Sequence, residues 1–103
     1  MFNQLKITIM KAKVYVVQVI DILDCVLSTE IESFSNKKDA ENFYNEKVNF
    51  FKKQWHEDVD DFTEEELETN YTYTIYKNGY ASENATYVTL YEKELDFKCV
   101  TIQ

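Results

Sequence analysis

The sequence predicts an α+β fold, in which one long helix packs on an antiparallel sheet in the order ββαββ. Two observations indicate this class: β-branched runs flank the centre of the chain, and a stretch between them repeats apolar residues every three or four positions. With 103 residues, 45% of them hydrophobic and 16% aromatic, the chain is long and apolar enough for one core. We therefore expect a single domain over residues 1–103.

The first two strands are predicted from hydrophobicity. AKVYVVQVIDI (residues 12–22) is nearly continuous in apolar residues, which is typical of a central strand covered on both faces. CVLSTEIESF (residues 25–34) is shorter and more polar, and it fits a second strand that pairs with the first through a tight turn near Ile22–Asp24. Residues 1–9 precede this pair, and we expect them to be either a dispensable extension or an edge strand.

The helix is predicted from Lys37 to about Glu57. Ser35 or Asn36 can cap its first turn, where Asp39 is also favourable. Its apolar residues form one stripe that should lie on the sheet and supply half of the core. The stripe consists of Ala40, Phe43, Tyr44, Val48, Phe51 and Trp55.

The second half predicts a short acidic helix and a hairpin. Thr63 with Glu66 matches a capping box, so TEEELE is predicted to be helical. Two alternating runs follow, separated by KNGYASEN, in which Asn78-Gly79 marks the turn. In the second of these runs, Val88 and Leu90 should share one face. The final CVTIQ should extend that strand or lie along the sheet edge.

Composition excludes several kinds of site. The chain has no Pro, and Gly79 is its only glycine, so a glycine-rich phosphate loop and a dinucleotide-binding fingerprint are both excluded. It also has no Arg, the residue that binds phosphate and guanine with two parallel hydrogen bonds. Calcium loops require a glycine at their sharp turn, which the acidic stretch lacks. His56 is the only histidine, so we expect no metal, no cofactor and no catalytic triad.

The two cysteines carry no motif. Cys25 and Cys99 lack CxxC spacing, and we expect them to be reduced and partly buried rather than joined in a disulfide. The first residues lack the apolar core and cleavage site of a signal peptide, and no run approaches the length of a membrane span. We expect a cytoplasmic protein of a bacterial host cell.

The distribution of charge favours a protein partner. Residues 1–53 have a balance of +1 and residues 54–103 a balance of −9, so the second half repels nucleic acid and membranes and attracts basic surfaces. Tyrosines follow the acidic stretch HEDVDDFTEEELE (residues 56–68), and tyrosine is a frequent interface anchor. The predicted carboxylates are Asp58, Asp60, Asp61, Glu64, Glu65 and Glu68. The predicted anchors are Tyr71, Tyr73, Tyr76 and Tyr80. For each residue alone, a solvated carboxylate or an ordinary cross-strand tyrosine pair remains the alternative.

Three segments carry a resemblance. KAKVYVV (residues 11–17), IESFSNKKDAENFYNE (residues 31–46) and TYVTLYEKELD (residues 86–96) resemble small phage and mobile-element proteins of ββαββ type. In size and acidity the chain is similar to phage-encoded anti-CRISPR inhibitors, several of which mimic nucleic acid. That group shares no common motif, so the resemblance implies no particular binding residues.

These observations predict a non-enzymatic inhibitor that binds a basic, nucleic-acid-handling defence effector, with a CRISPR nuclease as the expected partner. The acidic residues would stand in for phosphates, and the chain itself would bind neither nucleic acid nor membrane. One alternative is a small accessory or structural protein of phage or host whose acidity serves solubility, and which forms a homodimer through a sheet edge. A hydrolase or metal-dependent enzyme is a further alternative.

Overall fold

The computed structural model describes residues 4–67 and 70–102. Its elements are β1 (Leu5–Leu23), β2 (Val26–Phe34), α1 (Lys37–Asp58), β3 (Phe62–Leu67), β4 (Thr72–Lys77) and β5 (Ala85–Ile102). The strands form one antiparallel sheet in the order β2-β1-β5-β4-β3. The predicted α+β class, with an antiparallel sheet and one long helix, is confirmed. The predicted ββαββ order is wrong, because the described residues follow the order ββαβββ.

The additional strand is the stretch that was predicted to be a short acidic helix. Residues 62–67 form β3, and Glu64 and Glu66 lie opposite Ile75 and Tyr73 of β4. The hydroxyl of Thr63 donates to Asn78 Oδ1 instead of capping a helix. Successive side chains therefore point to opposite faces of the sheet here, and pairing with β4 outweighs the local capping pattern.

The tight turn between β1 and β2 lies at Asp24 and Cys25. Both residues have positive φ, 49° and 68°, as in the two-residue turns that match the twist of a hairpin. Asp tolerates this conformation because its short side chain can bond locally. The turn thus forms without the Asn-Gly pair that usually marks it.

The helix has nearly the predicted bounds. Asn36 caps it, with its side-chain oxygen accepting a hydrogen bond from Lys38 N at 2.7 Å. Ala40, Tyr44, Val48 and Trp55 are buried, and the predicted apolar stripe is confirmed. The helix contacts one face of β1 only, through residues such as Val17 and Val19, so the prediction that both faces of this strand are covered is wrong.

The core lies between α1 and the central strands. Its fully buried side chains include Val17, Tyr73, Ile75 and Val88. Val88 and Leu90 share the face that meets the helix, as predicted. Because these apolar side chains interlock across one helix and three strands, the body of the protein has a single continuous core.

The ends of β1 and β5 leave this body as a two-stranded arm, defined here as residues 5–14 paired with residues 93–102. Neither β2 nor β4 extends along it. The molecule measures 74 × 26 × 17 Å, and its radius of gyration is 19.7 Å, against about 13 Å for a compact domain of this size. Residues 5–9 belong to β1, where they pair with residues 98–102. The closing residues Cys99–Ile102 extend β5, which was one of the two alternatives predicted for them.

Candidate protein-binding surface

Four carboxylates gather at the end of the body that lies furthest from the arm. We call this set the acidic end: Asp24, Asp58, Asp60 and Asp61, which surround one surface depression together with Lys77 and Asn84. All four residues are exposed. The end of α1 and the β1–β2 turn meet at this place, so carboxylates from distant parts of the chain share one surface.

The backbone after α1 fixes these aspartates. Val59 N bonds Trp55 O at 3.0 Å, which closes the last turn of the helix, and the Val59 side chain packs against the core. Asp61 has a positive φ of 57°. It accepts two hydrogen bonds from Asn78, one at its carboxylate (2.8 Å) and one at its carbonyl (3.0 Å). Asp58 and Asp60 are exposed, and among the described residues their side chains form no hydrogen bond or ion pair.

Glu64 is engaged elsewhere. It faces α1, where Lys52 Nζ lies 3.6 Å from Glu64 and 3.2 Å from Glu66, and where His56 Nε2 also meets Glu64. A hydrogen bond to Glu66 raises the pKa of Lys52, while partial burial acts in the opposite direction. Lys52 offsets one of the two negative charges of this cluster, so Glu64 and Glu66 offer less negative charge to a partner than unpaired carboxylates would. Glu65 points to the opposite side of β3, and Glu68 lies outside the described residues.

The four predicted tyrosine anchors are not brought together. Tyr73 is fully buried in the core, where burial raises the pKa of its hydroxyl and Glu64 adds to the shift. Tyr71 is half-buried on the helix side, and its hydroxyl donates to Glu41 at 2.9 Å. Tyr76 is half-buried on the other side of the sheet. Only Tyr80 is both exposed (52%) and close to the acidic end, since it lies on the turn after β4 with Lys77 over its ring at 5.4 Å.

Among the described residues, the side chains that could bind a metal or form a disulfide do not come together in one site. Within residues 4–67 and 70–102, no three His, Cys, Asp or Glu side chains are placed as a metal-binding group. His56 contacts Glu64 and the ring of Phe62. Cys25 and Cys99 are both free, and both are exposed rather than partly buried as predicted. Among the described residues, no helix combines the length and apolar character that crossing a membrane requires.

Two apolar surfaces were not foreseen as binding surfaces from the sequence. One is the arm, which exposes Leu5, Ile7, Ile9, Val100 and Ile102 at 56–71% of their area. The other is the side of the sheet turned away from α1, which we call the open face. On this face lie the even-numbered residues of β4 and, in β1, the even-numbered residues from 16 to 22. The odd-numbered residues of β2 and β3 lie on it as well, together with the odd-numbered residues of β5 up to residue 91. The sequence feature that could have revealed the open face is the near absence of charged residues at alternate positions of these strands.

Comparison with known proteins yields no relative: no family model, curated protein or solved structure matches the chain. The acidic end and the two apolar surfaces are therefore the observations from which a function can be argued.

Proposed function

We propose that the chain is a non-enzymatic, protein-binding inhibitor whose acidic end occupies the basic, nucleic-acid-binding surface of a defence effector such as a CRISPR nuclease. The observation that carries the proposal is the convergence of Asp24, Asp58, Asp60 and Asp61 on one exposed depression. The protein as a whole also has a net charge of −8.

The acidic end keeps its charge available. Within the described residues, none of its four carboxylates forms an ion pair, whereas Glu64 and Glu66 are paired with Lys52. Like charges held close together repel one another, so a partner that supplies Lys or Arg side chains relieves this repulsion on binding. Such side chains line the channels in which proteins hold nucleic-acid phosphates.

Charge alone mainly speeds association and sets orientation, so an apolar anchor is needed for affinity. Tyr80 supplies it in the proposed complex, because it is exposed beside the acidic end and combines apolar area with a hydroxyl group. Inhibition would then be competitive with nucleic acid, and binding would weaken as salt screens the charges.

The test compares two charge-reversed proteins. Asp58→Lys with Asp60→Lys should raise the concentration needed for half-inhibition of target-DNA cleavage by guide-loaded CRISPR nucleases at least tenfold, equivalent to about 1.4 kcal/mol. Glu32→Lys with Glu46→Lys changes the net charge by the same amount at exposed positions outside the acidic end, and it should inhibit like the unaltered protein. Equal loss in both variants would contradict a localised site. Full inhibition by the first variant would remove the acidic end from the mechanism.

A second function is favoured by the arm and the open face. Exposed apolar strands of this kind suit an accessory or structural protein that assembles with other chains. Under this alternative, affinity capture from host lysate would recover no nucleic-acid-binding effector, and the two charge-reversed variants would behave alike.

A further inference from the structure

The open face is almost without charge. Charged residues make up 29% of the chain, yet Glu65, at the edge strand β3, is the one charged residue among the positions that define this face. The outer face of an antiparallel sheet is usually polar where it meets water. Here it carries Ile20, Tyr87 and Ile31, the last of them 58% exposed. Depletion of charge with enrichment in tyrosine and aliphatic residues is the composition of a protein interface.

The arm likewise exposes apolar side chains to water. An isolated two-stranded ribbon is at best marginally stable in water. By strand register, the side of the arm that continues the open face exposes Met10 (45%), Leu95 (40%) and Phe97 (45%). Its ten residue pairs extend about 33 Å, close to the length of the nine residues of β1 that cross the body, Tyr15–Leu23. The arm is therefore as long as the open face.

We propose that a second copy of this chain covers the open face, with the arm of each copy lying along the open face of the other. A two-fold axis near Val14 and Tyr15, the junction of arm and body, produces this arrangement. Each copy then uses the same two surfaces, as a symmetric dimer requires. The axis brings the arm tip of one copy level with the β1–β2 turn of the other.

Charge favours this orientation. The tip of the arm, residues 4–10 with residues 97–102, carries Lys6 and Lys98 and no carboxylate. The β1–β2 turn carries Asp24 and belongs to the acidic end. The proposed axis places Lys6 of one copy beside Asp24 of the second copy, so the basic tip meets the acidic end. A dimer made by stacking the two arm tips would instead bring four lysines together.

The area is sufficient for a stable dimer. With strands about 4.8 Å apart, the arm covers a strip about 10 Å wide, and each copy contributes both its arm and the strip beneath the other arm. This amounts to about 650 Å² per copy if both strips are treated as flat, which is within the 600–1,000 Å² per partner of specific complexes. Asp58, the last residue of α1, and Asp60, just after it, do not belong to the open face, so the dimer leaves these two carboxylates of the acidic end uncovered.

The first experiment measures mass in solution by light scattering and sedimentation. The unaltered protein should have twice the chain mass of 12.3 kDa. Met10→Asp with Phe97→Asp in the arm, and separately Ile20→Lys on the open face, should each weaken dimerisation at least tenfold. Phe50→Asp is the matched control, because Phe50 is an exposed hydrophobic residue (60%) on α1, and it should remain dimeric. Circular dichroism checks folding. A monomer at all concentrations, or an unaffected dimer in a folded Ile20→Lys protein, would overturn the proposal.

The second experiment measures the arrangement through Cys99, which is free, exposed and opposite Thr8 in the arm. Cys25→Asn removes the other thiol and suits the left-handed backbone of the turn. Spin labels on the two copies of Cys99 should then lie about 40 Å apart, the distance that about 13 residues of strand span. Stacked arm tips would give about 15 Å and stacked bodies about 70 Å. Either of these distances would refute the arm-on-open-face arrangement.

Discussion

At the scale of single residues, the core contains a chain of hydrogen bonds that joins α1, β5 and β1. Trp55 Nε1 of α1 donates to Thr86 Oγ1 at 2.9 Å, and Thr86 Oγ1 donates to Asp21 Oδ1 at 2.7 Å. Thr86 is fully buried, so its hydroxyl satisfies an indole and a carboxylate that water cannot reach fully. These residues are 31 and 65 positions apart, and no pattern in the sequence could have paired them.

Thr86→Val tests this chain. Valine keeps the shape and the β-branch of threonine, but it leaves the Trp55 N–H buried without an acceptor, which costs about 1–3 kcal/mol of unfolding free energy. Urea denaturation measures the loss. Thr74→Val, the same change on the open face, should alter stability by less than about 0.5 kcal/mol. Similar values for both variants would show that the hydrogen bonds do not matter.

At the scale of elements, the contact between α1 and the sheet depends on two buried tyrosines. Burial raises the pKa of Tyr44 to about 12, and the pKa of Tyr73 is raised by the same cause. The Tyr44 hydroxyl has no hydrogen-bond partner among the described residues, and the charge of Glu66 raises its pKa further. Both tyrosines must stay protonated for the helix to remain packed, because burial disfavours the charged phenolate.

This raised pKa predicts loss of stability in alkali. The folded state binds the Tyr44 proton more tightly than the unfolded state, whose pKa is 10, so the stabilisation is complete below pH 10 and is lost as pH rises from 10 to 12. The loss attributable to Tyr44 should be about 2 kcal/mol. Urea denaturation from pH 9 to pH 12 measures it, with Tyr44→Phe as control. The phenylalanine protein should lose less stability over this range; an identical pH profile would contradict the assignment.

The elements also show how far local sequence carries a prediction. Helix α1 was predictable because its apolar period and the Asn36 cap lie within one segment. Strand β3 was not, because Thr63 and Glu66 fit a helix start equally well, and only pairing with β4 and contact with Lys52 decide the outcome. Asp58 and Asp60 are exposed, as a role as phosphate mimics requires. The burial of Tyr73 follows from strand register, which the sequence left open.

At the scale of the whole molecule, the fold separates two kinds of surface along one axis. The acidic end lies at one extreme of a 74 Å molecule, and the apolar arm with Lys6 and Lys98 lies at the other. The arm could not be predicted because it arises from pairing between the two ends of the chain, such as Leu5 with Ile102. An extended shape with unlike ends favours association between copies in a fixed direction.

X-ray scattering tests that association at the same scale. Because the proposed two-fold axis passes through the middle of the long dimension, the dimer should be no longer than one chain, about 74 Å, although its mass doubles. Only its thickness should grow, by about 10 Å, the spacing of packed sheets. The monomeric Met10→Asp with Phe97→Asp protein should therefore give nearly the same maximum dimension at half the forward scattering. Copies joined end to end would instead double the maximum dimension, and that result would contradict an arm laid along the open face.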